Sequence, residues 1–301
     1  MTTPIEDEFS IAESITKERA KSFYFASRAL DATTRRRAYV TYAFCRRCDD
    51  AVDGDGATQE GNEEKVARLA RLRDEVTEIY AQKSFTDPVL SAFSKVVREC
   101  AIPESAVAGL LEGMRWDLEG RTYRTWDDTL AYCELAAGTV GRMMAAIFDA
   151  HQDAHAAAAS LGRAMQLTNI VRDVREDFLE LGRVYLPEDV LAANGVGRED
   201  LARFSAQKKL DGKGADGFRI VAREALSRAE SLYREGDHGI HGIPRHRSRA
   251  TAILMRATYS EIGRAIEERN YDVFSGRAHV PLARKLRASA RKLLRSELFA
   301  R

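Results

Sequence analysis

Helical periodicity runs through almost the whole chain of 301 residues, and it constrains the fold more than any other feature. Apolar residues recur at the spacing of an amphipathic helix, only six prolines interrupt the pattern, and runs of β-branched residues are scarce. The pattern therefore predicts an all-α protein. Helices are expected at residues 8–29, 34–53, 63–82, 87–101, 104–118, 127–149, 153–182, 217–236, 247–269 and 281–298.

The segments between these helices are short. Residues 54–64 and 211–217 have the composition of exposed loops, and neither has the length of an interdomain linker. With 45% hydrophobic and 31% charged residues, the chain has enough apolar surface for one large core. We expect a single domain that spans residues 1–301.

Composition indicates the cellular compartment and the kinds of binding partner to expect. The chain has 47 basic and 46 acidic residues, and this balance gives no reason to expect nucleic-acid binding. Four cysteines without a signal pattern indicate a reduced, cytoplasmic setting with no disulfides. The most apolar stretch, residues 130–148, includes Glu134 and Arg142, so we expect a bent core helix there and not a membrane span.

Two aspartate pairs at helical spacing carry the strongest chemical signal. In the first pair, Asp49 and Asp53 share one helix face with Tyr42 and Arg46, because successive positions in this set differ by three or four residues. Like charges one turn apart weaken a helix by a few tenths of a kcal/mol, so a cation is expected to compensate them. Arg46 with its neighbour Arg47, or a bound metal ion, would meet that need.

The second pair belongs to a longer polar stripe. Asn169, Asp173 and Asp177 are four residues apart, Gln166 lies one turn earlier, and apolar neighbours would bury the stripe. An acidic stripe is costly to bury without a partner. Oxygen ligands without histidine or cysteine favour a hard cation such as Mg²⁺, which also binds phosphate oxygens. Two such helices would hold a diphosphate through Mg²⁺ and assist its departure, leaving an allylic carbocation.

Several blocks of the chain resemble the squalene/phytoene synthase family of head-to-head prenyl transferases. They are Lys21 to Tyr24, Tyr42 to Asp53, Ala137 to Gly141, and Gln166 to Pro187. The blocks follow the family's order over most of the chain, so the match is more specific than one aspartate motif. The resemblance implies a single-domain isoprenoid-synthase helical bundle around a central cavity.

The same resemblance implies roles for individual residues. Mg²⁺, with Mn²⁺ as an alternative, is expected at Asp49, Asp53, Asn169, Asp173 and Asp177. Contacts to the substrate diphosphates are expected from Lys21, Ser22, Arg46, Gln166, Asn169, Arg172 and Arg277. The cavity is expected to involve Phe23, Tyr132, Gly138, Val140, Gly141 and Met144. Tyr42 and Tyr259 are expected to shelter cationic intermediates. Ordinary core packing is the competing interpretation of the tyrosines and Met144.

The expected reaction also follows from the resemblance. Two geranylgeranyl diphosphates would condense through a cyclopropyl (prephytoene) diphosphate to 15-cis-phytoene, a step of carotenoid biosynthesis that uses no NADPH. Residues 270–274 with Arg277, and residues 141–144, resemble phytoene synthases more than presqualene diphosphate synthases.

Alternatives remain open. One is a squalene, dehydrosqualene or presqualene diphosphate synthase that uses farnesyl diphosphate, and another is a degenerate family member that acts as an assembly factor. A class I terpene cyclase is disfavoured, because Asn169, Asp173 and Asp177 do not match its Asn, Ser/Thr, Glu triad.

The C-terminal stretch, residues 284–301, is basic and amphipathic. It predicts peripheral contact with anionic lipid, into which a hydrophobic product would leave. A bundle helix with a solvated basic face is the competing interpretation. The other partners expected are the isoprenoid diphosphate substrates.

Overall fold

The computed structural model describes residues 4–53 and 61–295, and this part of the chain is built from helices without any β-strand. The predicted all-α class is confirmed. The first loop expected from the sequence lies mostly outside the described residues, at 54–60, and the end of the basic C-terminal stretch, residues 296–301, does so as well.

The first half of the molecule contains six helices in the described ranges. They are α1 (Pro4–Arg19), α2 (Lys21–Ser27), α3 (Ala32–Asp53), α4 (Asn62–Tyr80), α5 (Pro88–Cys100) and α6 (Glu104–Leu118). The prediction of one helix over residues 8–29 is wrong, because Ala20 has the non-helical dihedrals φ −128° and ψ 57°. This break separates α1 from α2 and brings the start of α2 to the central cavity.

The remaining helices follow in the second half. They are α7 (Trp126–Cys133), α8 (Thr139–Ile147), α9 (Ala154–Glu176), α10 (Glu188–Ala193), α11 (Arg198–Gln207), α12 (Ala215–Gly239), α13 (His246–Glu268) and α14 (Leu282–Arg295). The sequence analysis missed α10 and α11, which are too short to establish a clear period. The predicted loop at 211–217 is shorter than expected, since α12 already begins at Ala215.

Two π-helical turns widen the helices next to the predicted motifs. One, at Glu134–Gly138, joins α7 to α8, so the predicted bent core helix is a helical run with one irregular turn. The other, at Asp177–Leu181, follows α9 and ends at Gly182, whose φ of 66° is left-handed. Such turns often accompany functional sites. The second aspartate motif therefore ends where the helix changes its pitch.

Helices α8 and α9 pack with their backbones in contact. A Cβ atom at Gly141 would lie 2.2 Å from the carbonyl oxygen of Ala158, and one at Gly162 would lie 2.1 Å from that of Ala137. Both glycines therefore permit a close helix contact that any larger residue would disrupt. The irregular turn within the predicted core helix, residues 130–148, lies at Glu134–Gly138 and precedes Gly141.

Two apolar clusters enclose a central cavity. In one, the rings of Phe44 and Phe93 stack with their centroids 3.9 Å apart, among side chains mainly from α3 to α6 and α8. In the other, Phe218 and Phe274 meet edge to face at 5.0 Å, among side chains mainly from α9 to α13. The cavity between them has a volume of about 800 Å³, and both clusters contribute to its wall. The predicted bundle around a central cavity is confirmed.

Candidate active site

The polar wall of the central cavity combines residues of both predicted motifs with five cationic side chains. This polar wall is supplied by helices α1, α2, α3, α9, α13 and α14 and by the segment before α14. The polar residues that the sequence predicted and that do line the cavity are Lys21, Ser22, Tyr42, Asp49, Gln166, Asn169, Arg172, Tyr259 and Arg277. Lys285 lines the cavity as well. The fold thus brings together residues that are up to 264 positions apart, from 21 to 285.

The first motif occupies the last turns of α3. Removal from water raises the pKa of Asp49 to about 7, an effect that Arg46 opposes and the charge of Asp53 reinforces. Asp53 does not line the cavity, and its Oδ1 accepts a hydrogen bond from Arg183 Nη1 at 2.6 Å. Both aspartates of this motif therefore lie in an environment that favours a nearby positive charge.

Arg46 does not line the central cavity. Its Nη2 donates to Asp50 Oδ1 at 2.5 Å, and the two side chains line a second cleft of about 470 Å³ on another side of α3. The charge of Arg46 still acts on Asp49. The structure thus brings Arg46 close to the first motif but not into the wall of the central cavity.

The second motif is paired with arginines. Asp173 lies between Arg172 and Arg277, which each donate two hydrogen bonds to its carboxylate at 2.5–2.9 Å. Burial raises the pKa of Asp177 to about 8, and the charge of Asp173 adds to the shift. Neither aspartate lines the cavity, but Asp173 is joined to it through the two arginines.

A buried acid that the sequence analysis missed connects the two motifs. Asp117 of α6 accepts hydrogen bonds from the hydroxyls of Tyr132 at 2.9 Å and Tyr185 at 2.8 Å. Its Oδ2 lies 4.0 Å from Arg183 Nη1, the group that also donates to Asp53. Burial raises the pKa of Asp117 to about 6, and the charge of Arg183 opposes the shift. Asp117 and Arg183 are therefore candidate members of the site.

Arg183 also shows that the motifs face each other. It donates to Asp53 of the first motif and lowers the pKa of Asp177 of the second, while the charges of Asp53 and Asp117 raise that pKa. The sequence analysis placed Arg183 inside a family block without assigning it a role. Asp117 stands alone in the sequence, without an acidic partner at helical spacing, so periodicity gave no signal for it.

Lys285 was also missed as a site residue. Its Nζ donates to Ser22 Oγ at 3.1 Å, and burial together with the charge of Arg172 lowers its pKa. In the sequence it is one of several basic residues of a C-terminal amphipathic helix, and nothing there separates it from its neighbours. With Arg19, Lys21, Arg172 and Arg277 it gives the cavity wall five cationic side chains.

The apolar wall contains most, but not all, of the predicted cavity residues. Those present are Phe23, Val140, Gly141 and Met144. The ring of Phe23 lies against Tyr42 with the centroids 5.8 Å apart, and burial, followed by the charge of Asp49, raises the pKa of Tyr42 to about 12. Tyr132 and Gly138 do not line this cavity. Tyr132 bonds to Asp117, and a Cβ at Gly138 would lie 2.5 Å from the Glu134 carboxylate.

The oxygen atoms that the two motifs offer as metal ligands suit a hard divalent cation. Asn169 Oδ1 is buried and forms no hydrogen bond with any residue of the ranges 4–53 and 61–295. No three acidic, histidine or cysteine side chains within those ranges meet at a single point. Carboxylate and amide oxygens on facing helices therefore fit Mg²⁺ ions that take further ligands from phosphate and water. The five predicted metal ligands stay a prediction with this support.

Comparison with known proteins identifies the family. Residues 16–284 match the family described as squalene/phytoene synthase. The phytoene synthase of Rhodobacter capsulatus is 36% identical over 282 residues, which cover 93% of this chain and 79% of that protein. The 15-cis-phytoene synthase of Enterobacter agglomerans is 34% identical over 275 residues, which cover 89% and 88% of the two chains.

Solved structures agree with the sequence relatives. A dehydrosqualene synthase in complex with a ligand superposes with a TM-score of 0.84 at 29% identity, over 99% of this chain and all of the other. The squalene synthase HpnC of Alicyclobacillus acidocaldarius gives 0.76 at 26% identity, over 89% and 95% of the two chains. The predicted isoprenoid-synthase fold is confirmed, and the chain belongs to the squalene/phytoene synthase family.

Proposed function

We propose that the protein condenses two molecules of geranylgeranyl diphosphate, head to head, into 15-cis-phytoene with the help of Mg²⁺. One observation carries this proposal: a single cavity combines acidic and amide oxygens and five cationic side chains with a wall of apolar side chains. The names and identities of the bacterial relatives support geranylgeranyl diphosphate as the substrate.

The charged wall would bind and activate the diphosphates. Arg172 and Arg277 match phosphate oxygens with their planar forks, and Lys21 and Lys285 add point charges beside them. Mg²⁺ would be held by the five predicted ligands, Asp49, Asp53, Asn169, Asp173 and Asp177. When bound, Mg²⁺ would neutralise the charge that develops on the departing diphosphate.

The apolar wall would protect the cations that this departure creates. Loss of one diphosphate leaves an allylic cation. The double bond of the second substrate attacks this cation, and loss of a proton closes the cyclopropane ring of prephytoene diphosphate. A second ionisation and rearrangement, followed by loss of a proton, gives phytoene without a reductant. The rings of Tyr42 and Tyr259 line the cavity and would stabilise each cation by about 0.5–2 kcal/mol.

Product identification tests the proposal. The purified protein is incubated with Mg²⁺ and either farnesyl or geranylgeranyl diphosphate, with and without NADPH, and the hydrocarbon is identified by mass spectrometry. We expect 15-cis-phytoene from geranylgeranyl diphosphate in the absence of NADPH. Turnover confined to farnesyl diphosphate would support the squalene or dehydrosqualene alternative, and a lack of turnover with either substrate would support an assembly factor.

Peripheral membrane contact is part of the same proposal. No helix in the described ranges has both the length and the apolar character needed to cross a bilayer. On α14, Leu286 is 50% exposed and next to exposed Arg287, while the adjacent Lys285 lines the cavity. This placement would put the cavity close to the lipid surface. Flotation with anionic liposomes should weaken in a Leu286→Glu, Arg287→Glu variant, and unchanged flotation would contradict the membrane role.

A further inference from the structure

The carboxylate of Asp173 is enclosed by two guanidinium groups. Oδ1 accepts from Arg172 Nε at 2.7 Å and from Arg277 Nε at 2.9 Å. Oδ2 accepts from Arg172 Nη2 at 2.5 Å and from Arg277 Nη2 at 2.9 Å. A carboxylate offers about four lone-pair sites, and these four hydrogen bonds use them all. A divalent cation can therefore reach Asp173 only if at least one arginine leaves.

The same two arginines face the cavity in which the diphosphate would bind. Arg172 and Arg277 line its wall, and the charge of Arg172 lowers the pKa of nearby Lys285. A guanidinium fork pairs as well with two phosphate oxygens as with a carboxylate. Arg277 belongs to the segment between α13 and α14, and its side chain is 59% exposed. It is therefore the arginine with more freedom to change partner.

We propose that Arg172 and Arg277 couple the binding of metal and diphosphate by exchanging Asp173 for the diphosphate, an inference that rests on the proposed function. Diphosphate draws the guanidinium groups from the carboxylate, and the oxygens that they leave become ligands for the divalent cation. Asp173, when it serves as a ligand of the cation, would no longer compete for the two arginines, which would stay with the diphosphate. Linkage requires that each ligand raises the affinity for the other by the same factor.

Calorimetric titration of the full chain with Mg²⁺ and inorganic diphosphate, separately and together, measures this factor. The heat of Mg²⁺–diphosphate association in buffer is subtracted from the combined titration. In the unmodified protein we expect each ligand to raise the binding affinity for the other by about 5- to 150-fold, the usual range of coupling between sites. Independent binding would overturn the proposal.

Two substitutions should shift the separate affinities in opposite directions. Arg277→Gln removes two of the four hydrogen bonds to Asp173, so Mg²⁺ alone should bind more tightly while the coupling factor falls several-fold. Asp173→Asn removes the carboxylate that competes for the arginines, so diphosphate without metal should bind more tightly while Mg²⁺ affinity falls. If these residues had a purely structural role, both substitutions would weaken the binding of both Mg²⁺ and diphosphate, and that result would overturn the proposal.

Arg269→Gln provides the matched control. Arg269 is the first residue of the same segment, and its Nη2 donates to Ser275 Oγ at 2.7 Å. The Arg269→Gln variant should leave both affinities and the coupling factor unchanged.

The results of the titrations and of the turnover assay together separate this inference from the proposed function. Phytoene formation without coupling refutes the exchange alone, whereas absence of both ligand binding and turnover of prenyl diphosphates refutes the proposed function as well.

Discussion

The two aspartate motifs differ in how their negative charge is balanced. In the first, Asp53 pairs with Arg183, whose side chain is only 15% exposed and which also lies beside the buried acid Asp117. In the second, Asp173 pairs with Arg172 and Arg277, which both line the cavity. Arg172 is as buried as Arg183, with 13% of its side chain exposed, whereas Arg277 is 59% exposed. The motifs differ because the arginines of the second reach the cavity wall, where substrate is expected, and Arg183 does not.

This difference suggests that the first motif contributes mainly to stability and the second to ligand exchange. Arg183 lies among Asp53, Asp117 and Asp177, so its loss would leave several carboxylates close together without compensation. Arg277 reaches Asp173 from an exposed segment, and water can replace it at little cost. We therefore infer that the first motif is a fixed part of the site and that the second is the part that changes partners.

The largest effect is expected from removing either motif. Asp49→Ala or Asp173→Ala should lower diphosphate release at least about 100-fold, because each removes a predicted Mg²⁺ ligand. Far-UV circular dichroism should remain that of the helical protein. Asp216→Ala is the control, since Asp216 has a 97% exposed side chain at the start of α12. Retained turnover in both motif variants would contradict the assignment of these aspartates.

Stability should then distinguish the two kinds of arginine. Arg183→Gln leaves buried carboxylates without their partner, so we expect the free energy of unfolding to fall by about 3 kcal/mol. Arg277→Gln should lower it by less than about 1 kcal/mol, because its ion pair is largely exposed. Urea denaturation of both variants gives the comparison. Equal losses would show that the two motifs do not differ in this way.

A smaller effect is expected at Lys285. Lys285→Ala should raise the KM for the prenyl diphosphate about 10-fold, since a hydrogen bond to a charged group contributes about 1.5–3 kcal/mol. The affinity for Mg²⁺ alone should not change. Arg291→Ala, an exposed residue on the same helix, should behave like the unmodified protein. A KM that does not respond to Lys285→Ala would remove this residue from the diphosphate-binding wall.

The smallest effect is expected within the core of the first motif. Tyr132→Phe removes one of the two tyrosine hydrogen bonds to Asp117 and leaves that of Tyr185 in place. The free energy of unfolding should fall by about 1 kcal/mol, which urea denaturation can measure. Binding of Mg²⁺ and diphosphate at the second motif should be unaffected. A selective loss of their coupling would contradict the separation of the two motifs.

Sequence reasoning succeeded for those features of the site that depend only on local helix geometry. Positions four residues apart on one helix share a face whatever the tertiary fold, so the pairs on α3 and α9 could be assigned directly. Asp117 was beyond such reasoning, because its bond to Tyr185 spans 68 residues and exists only after the helices pack. The resemblance to a family supplied the cavity and most of its wall, which periodicity alone does not give.

Other differences have similarly specific causes. Arg46 was expected at the diphosphate, yet the acid one turn later, Asp50, is its hydrogen-bond partner. Lys285 could not be separated from the other basic residues of α14 until packing brought it to Ser22. The break at Ala20 was missed because apolar periodicity continues from α1 into α2.

The most direct test of the central claim is the stoichiometry of the Mg²⁺-dependent reaction. Diphosphate and hydrocarbon are measured together during turnover of geranylgeranyl diphosphate, with Mg²⁺ or with EDTA. We predict two diphosphates released for each phytoene with Mg²⁺, and no release with EDTA. Equal release in EDTA, or phytoene formation by a protein carrying both Asp49→Ala and Asp173→Ala, would contradict a site in which two aspartate motifs and Mg²⁺ ionise the substrate.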